Sequence, residues 1–139
     1  MNEKPVRTGT YAVDILLVDD EPNFLRNLAE ELLHCADNFN IITTESASKA
    51  IDYLHNVMVD VVVMDLNMPG MDGLELLNSL QQLQKTYSGM KIIIMSSCAW
   101  SDVESKLTSL TFSRYFKKPF EPADMVHAIL DTAQFARVA

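Results

Sequence analysis

The sequence predicts a five-stranded parallel α/β sheet with helices on both faces, and three observations predict it. Short apolar runs alternate with stretches of helical periodicity along nearly the whole chain. Three of those runs, Ile15–Val18, Val61–Met64 and Ile92–Met95, contain no polar residue, as expected of strands buried on both faces of a parallel sheet. Each then stops abruptly at acidic or hydroxyl residues. That is the end of an α/β sheet at which ligands bind.

The elements follow in order. Met1 to Thr10 mixes Pro, Gly, Thr and charges, so residues 1–11 read as a flexible lead-in and residues 12–139 as one domain. Ile15–Val18 is the first strand and ends in Asp19-Asp20-Glu21. Pro22 opens a helix, where its missing N–H costs nothing, and Phe24, Leu25, Leu28, Ala29, Leu32 and Leu33 recur at helical spacing. The β-branched stretch Ile41–Thr44 predicts a second strand. Ser46 is a good N-cap for a helix presenting Ala47, Ala50, Ile51 and Leu54 on one side.

The alternation continues through the rest of the chain. Val61–Met64 runs into Asp65, and a Pro/Gly loop separates it from a third helix marked by Leu74, Leu76, Leu77, Leu80 and Leu83. Ile92–Met95 runs into Ser96-Ser97. Val103, Leu107 and Leu110 suggest a shorter fourth helix, and Tyr115-Phe116-Lys117 a weaker fifth strand. Pro122 begins a last helix carrying Met125, Val126, Ile129, Leu130 and Ala133. Right-handed crossovers leave few arrangements for such a chain. The order 2-1-3-4-5 of flavodoxin-like sheets is the expectation here.

Composition narrows the function. At 139 residues, 48% hydrophobic and 22% charged, the chain fits one folded domain. Its formal charge of −8 repels nucleic-acid phosphate, so no direct nucleic-acid binding is expected. No stretch has the roughly 20 apolar residues of a membrane helix, and the first residues carry no apolar run of a signal peptide, which together suggest a cytoplasmic protein. Cys35 and Cys98 lie far apart without metal or redox spacing. The histidines His34, His55 and His127 do not cluster either.

The strand ends converge on one chemistry. They deliver Asp19 and Asp20, then Asp65, then Ser96, then Lys118 to one rim of the sheet. Clustered ionised carboxylates repel, and a hard divalent cation relieves that repulsion. Mg2+ suits an oxygen-only set that includes carboxylates and phosphate oxygens, whereas zinc would call for Cys or His. Lys118 can pair with Asp65 and then with a phosphoryl oxygen, and Ser96 can donate to another. A carboxylate nucleophile attacking phosphorus yields an aspartyl phosphate.

These residues resemble response-regulator receiver domains. Asp19-Asp20-Glu21 is similar to the family's acidic pair, Asp65-Leu66-Asn67-Met68-Pro69-Gly70-Met71-Asp72-Gly73 to its phospho-acceptor loop, and Lys118-Pro119-Phe120 to its Lys-Pro-Phe signature. Ser96 falls on the hydroxyl position and Tyr115 on the aromatic switch position. The intervals between Asp65, Ser96 and Lys118 also agree, and the likeness extends from about Asp14 to Phe135.

The resemblance implies that Asp65 takes a phosphoryl group from a sensor histidine kinase or phosphotransfer protein. It implies Mg2+ on Asp20, Asp65 and the Asn67 backbone carbonyl, with Asp19 acting through water. It further implies that Ser96 and Tyr115 move on phosphorylation and remodel the face of the fourth helix, fifth strand and fifth helix. A cis Lys118-Pro119 bond is expected, and Asn67 and Cys98 would influence attack by water on the phosphoryl group. Phosphorylation-dependent homodimerisation and an output partner, or an effector domain outside this sequence, belong to the same expectation. Two departures stand out: Ser97, which would narrow the donor's approach, and Thr111–Arg114, which puts the end of the fourth helix in question.

The same residues admit other readings. Tyr115 can also be read as plain packing, and Trp100 as packing or as a cover at the rim of the pocket. A receiver-like interaction module that takes no phosphate would keep the fold without the chemistry. A small-molecule phosphatase would commonly carry Asp two residues after the nucleophile, where this chain has Asn67, so the chain reads as a switch rather than an enzyme. A dinucleotide site fails for want of GxGxxG after the first strand.

Overall fold

The unbroken apolar runs form the centre of the sheet because burial on both sides is where such runs are stable. The computed structural model describes residues 12–68, 71–86 and 89–138, with the side chains of residues 68, 71, 72 and 134–138 outside that description. Residues 1–11, and with them the expected lead-in, also lie outside it, as do Pro69 and Gly70. Five parallel strands, β1 (Val13–Val18), β2 (Phe39–Thr44), β3 (Val61–Asp65), β4 (Lys91–Ser96) and β5 (Arg114–Lys117), pair in the expected order 2-1-3-4-5. The helices are α1 (Pro22–Cys35), α2 (Ala47–Asn56), α3 (Gly73–Thr86), α4 (Trp100–Leu107) and α5 (Pro122–Val138).

Strand alternation divides the core in two. Leu16, Val18, Val62, Met64, Ile92 and Ile94 face α2, α3 and α4. Val13, Ile15, Leu17, Val61, Val63, Ile93 and Met95 face α1 and α5. The edge strands β2 and β5 alternate with exposed positions, which is why their sequences are more polar. Ser46 caps α2 as expected, its side chain accepting from the Lys49 N–H.

Two local features differ from the sequence pattern. Leu33 shares the apolar spacing of α1 but is 49% exposed, whereas Leu25, Leu28 and Leu32 are buried. The fourth helix ends at Leu107, and Leu110 packs from the following turn, where its N–H bonds to the Leu107 carbonyl. Between β3 and α3 the chain makes a two-residue antiparallel ladder, Asn67–Met68 with Met71–Asp72, where a plain loop was expected.

Gly73 opens α3 under the acceptor loop. A Cβ there would lie 2.0 Å from the Leu66 carbonyl oxygen, a backbone atom that cannot swing aside. Gly73→Ala is therefore expected to cost about 3 kcal/mol, the upper part of the overpacking range, in a denaturant titration. A loss under about 0.5 kcal/mol would show that the loop relaxes freely.

Candidate functional site

At the carboxyl ends of the strands, β1 and β3 each turn sharply, and an aspartate makes each turn. Asp19 Oδ1 accepts from the Glu21 N–H at 2.9 Å, and Asp65 Oδ1 accepts from the Asn67 N–H at 3.0 Å. These are Asx-type bonds, in which a short carboxylate satisfies the backbone two residues on. They fix both carboxylates and leave the second oxygen of each free to point at the same place. Asp20 follows Asp19, and one carboxylate oxygen from each of Asp19, Asp20 and Asp65 lies within 4.8 Å of the others.

Lys118 arrives from the end of β5, where its N–H bonds to the Ser96 carbonyl at 2.7 Å. Its Nζ donates to Asp19 Oδ2 at 2.5 Å and to Asp65 Oδ2 at 3.3 Å, and sits 4.0 Å from the centre of the Phe24 ring. The sequence predicted a pairing with Asp65; the tighter partner is Asp19, which is 0% exposed and so most in need of a counter-charge. Asp19 therefore carries the ion pair with Lys118. The Lys118-Pro119 bond is cis.

The electrostatics follow from burial and crowding. Burial pushes the Asp65 carboxyl above its ordinary value, and the Asp19 charge pushes the same way, against the Asn67 N–H and Lys118. For Lys118, burial alone would lower the value, but the hydrogen bond to Asp19 and the charges of Asp65 and Asp19 outweigh it, and the net shift is upward. An oxygen-only cluster with surplus negative charge fits a small hard cation by its donor set. Among the described residues no other group of three or more acidic, Cys or His side chains is gathered closely enough to hold a metal ion.

Ser96 is fully buried at the end of β4. Its hydroxyl donates to the Asn67 side-chain oxygen and accepts from the Cys98 N–H at 3.0 Å. Asn67 was expected to act through its backbone carbonyl on the metal and through its side chain on attacking water; here the side chain accepts from the Ser96 hydroxyl. Tyr115 is half-buried and donates its hydroxyl to the Cys98 carbonyl at 2.5 Å. Burial is the first cause of the upward shift of its phenol. The ring is seated beside the Ser96–Cys98 loop.

Trp100 packs edge-on against Phe112 and Tyr115, with ring centres 6.0 and 5.3 Å away. Ser97 is exposed, and the three histidines are exposed on helices, as expected. What sequence reasoning missed is a pair of bonds from Gln81 on α3 to the backbone of Thr111. No spacing rule would find them, because the partners belong to different elements.

The comparisons agree with this geometry. Residues 15–130 match the family model described as response regulator receiver domain. The nitrate/nitrite response regulator protein NarL of Escherichia coli K12 is 32% identical over 120 residues, covering 86% of this chain and 54% of that protein. Response regulator ArlR of Staphylococcus aureus strain Mu50 is 32% identical over 117 residues, 83% of this chain and 50% of that protein. The chain thus spans about half the length of these two relatives. A response regulator receiver domain protein from Clostridium thermocellum superposes with a TM-score of 0.75 at 25% identity, covering 91% of this chain and 98% of that one. No helix among the described residues is long and apolar enough to cross a membrane. With its sheet order, its acidic rim and a family match over most of its length, the chain belongs to the response-regulator receiver domains.

Proposed function

We propose that this chain is a working phosphoryl switch of a two-component phosphorelay, with Asp65 as acceptor. The observation that carries the reading is the convergence of Asp19, Asp20, Asp65 and Lys118 at one strand-end rim. One Asp65 oxygen bonds to phosphorus as the P–N bond of a donor phosphohistidine breaks, and the leaving imidazole keeps the electron pair. Lys118 then shifts from carboxylate towards a phosphoryl oxygen, and the Ser96 hydroxyl turns from Asn67 to another. Tyr115 follows through Cys98, which changes the α4-β5-α5 face. Catalysis of this kind is positioning and charge neutralisation with no general base.

Asp19, Asp20, Asp65 and the Asn67 carbonyl would hold Mg2+, which when bound supplies the positive charge that a transferred phosphoryl group needs among carboxylates. The donor is a sensor histidine kinase or phosphotransfer protein, in the cytoplasm. The switched face meets an output partner, an effector domain, or a second copy of the phosphorylated chain. Residues 12–139 form the functional unit.

Metal binding tests the site without any donor. A Mg2+ titration followed by thermal unfolding is expected to raise Tm, by about 2.7 kcal/mol of stability at a hundredfold excess over Kd. Asp20→Asn removes one ligand and should weaken binding tenfold or more. Affinity should also fall as pH drops through the raised Asp65 value, because protons and the cation compete for that carboxylate. Equal Mg2+ affinity in wild type and Asp20→Asn would exclude Asp20 as a ligand. No Mg2+ effect at all would favour the phosphate-independent interaction module.

A further inference from the structure

A continuous line of contacts runs from the exposed flank of α3 to the acceptor carboxylate. Gln81 makes two bonds to one residue: its amide N–H2 donates to the Thr111 carbonyl at 2.7 Å, and its amide oxygen accepts from the Thr111 N–H at 3.0 Å. The side chain therefore pairs with Thr111 as a neighbouring strand would, and holds a loop that contains no regular structure between α4 and β5. Phe112, the next residue, packs against Trp100, and Trp100 against Tyr115. Tyr115 donates to the Cys98 carbonyl at 2.5 Å, and the Cys98 N–H donates to the Ser96 hydroxyl at 3.0 Å. Ser96 donates to the Asn67 side chain, and the Asn67 N–H to Asp65 at 3.0 Å.

We infer that Gln81 is a positioning residue for phosphoryl transfer, acting on Ser96 through Thr111, Phe112, Trp100 and Tyr115. The inference rests on the receiver reading above. Three aromatic rings packed edge-on are a stiff unit, and the amide clamp anchors the end of that unit farthest from the chemistry. Tyr115 braces the Cys98 carbonyl behind the Ser96 hydroxyl, which bonds to the Asn67 side chain next to Asp65 in the chain's acceptor loop. The clamp bonds are solvent-exposed, so a partner lying along α3 that competes for the Gln81 amide would loosen the brace from outside.

Gln81→Met keeps the length and the apolar stem and removes both bonds. Uptake of a phosphoryl group by Asp65 from a small acyl phosphate, with Mg2+, is expected to slow about threefold or more. In a Tyr115→Ala background the same substitution should change nothing further, because the line is already cut. A merely structural Gln81 would lower Tm in both backgrounds and leave the uptake rate untouched. Uptake at equal rates in wild type and Gln81→Met overturns this inference alone, as does an equal slowing with and without Tyr115. A wild-type chain that takes up no phosphoryl group overturns the receiver reading and this inference together.

Discussion

Lys118→Met is expected to destabilise the chain by about 3 kcal/mol in metal-free buffer at neutral pH, a fall in Tm of roughly 10 °C. Met matches the lysine stem in length and can keep contact with the Phe24 ring, over which the ammonium now sits. The change therefore removes the charge and little of the packing. What remains is a fully buried Asp19 beside Asp65 and Asp20 with no cation among them. Removing one member of a buried pair leaves the other paying its full desolvation cost. Saturating Mg2+ should return a large part of the loss, since it replaces the missing positive charge. Because pairing raises the Lys118 value, the wild-type contribution is complete below the ordinary lysine range and lost as pH rises through the raised value. A Lys118→Met protein as stable as wild type in chelator would mean the three carboxylates do not share one field.

Asp65→Asn should abolish phosphoryl uptake and, in chelator, raise Tm at neutral pH. The two effects have one cause. Burial and Asp19 raise the Asp65 value, so the folded state binds that proton more tightly than the unfolded state does. Its contribution is favourable at low pH and is lost as pH climbs through the raised value; at neutral pH the ionised carboxylate costs stability. An amide has no charge to bury, its single oxygen still accepts from the Asn67 N–H, and its NH2 group replaces the oxygen that faced Lys118, which leaves the ammonium to Asp19. The substitution also deletes the proposed nucleophile and one of the proposed metal ligands, so added Mg2+ should give little further rise in Tm. A variant that still takes up phosphate would move the acceptor elsewhere. One that melts lower than wild type in chelator would contradict the stated direction of strain.

The frame of this protein was legible because β1, β3 and β4 are unbroken apolar runs, and only a doubly covered strand tolerates such a run. Asp19, Asp20, Asp65, Ser96 and Lys118 were legible for a related reason: each stands at or just beyond the last residue of a strand, and parallel strands bring such positions to one rim. Contacts between elements were not. That Lys118 bonds more closely to Asp19 than to Asp65 depends on side-chain depth, which spacing does not encode. Leu110 keeps helical spacing from Leu107, yet the helix stops at Leu107, and beyond it Gln81 bonds Thr111 and Trp100 packs on Phe112. Tyr115 at the Cys98 carbonyl and Ser96 at the Asn67 side chain likewise arise only when loops from three strands meet.

The most direct measurement is the mass of the intact chain after exposure to a small acyl phosphate, with Mg2+ in one arm and a chelator in the other, followed by peptide mapping. One phosphoryl group per chain, mapped to Asp65 and formed only with Mg2+, is the predicted result. Addition that ignores Mg2+, that falls on another residue, or that fails in both arms would contradict the claim that these carboxylates and Lys118 build a metal-dependent phosphoryl acceptor.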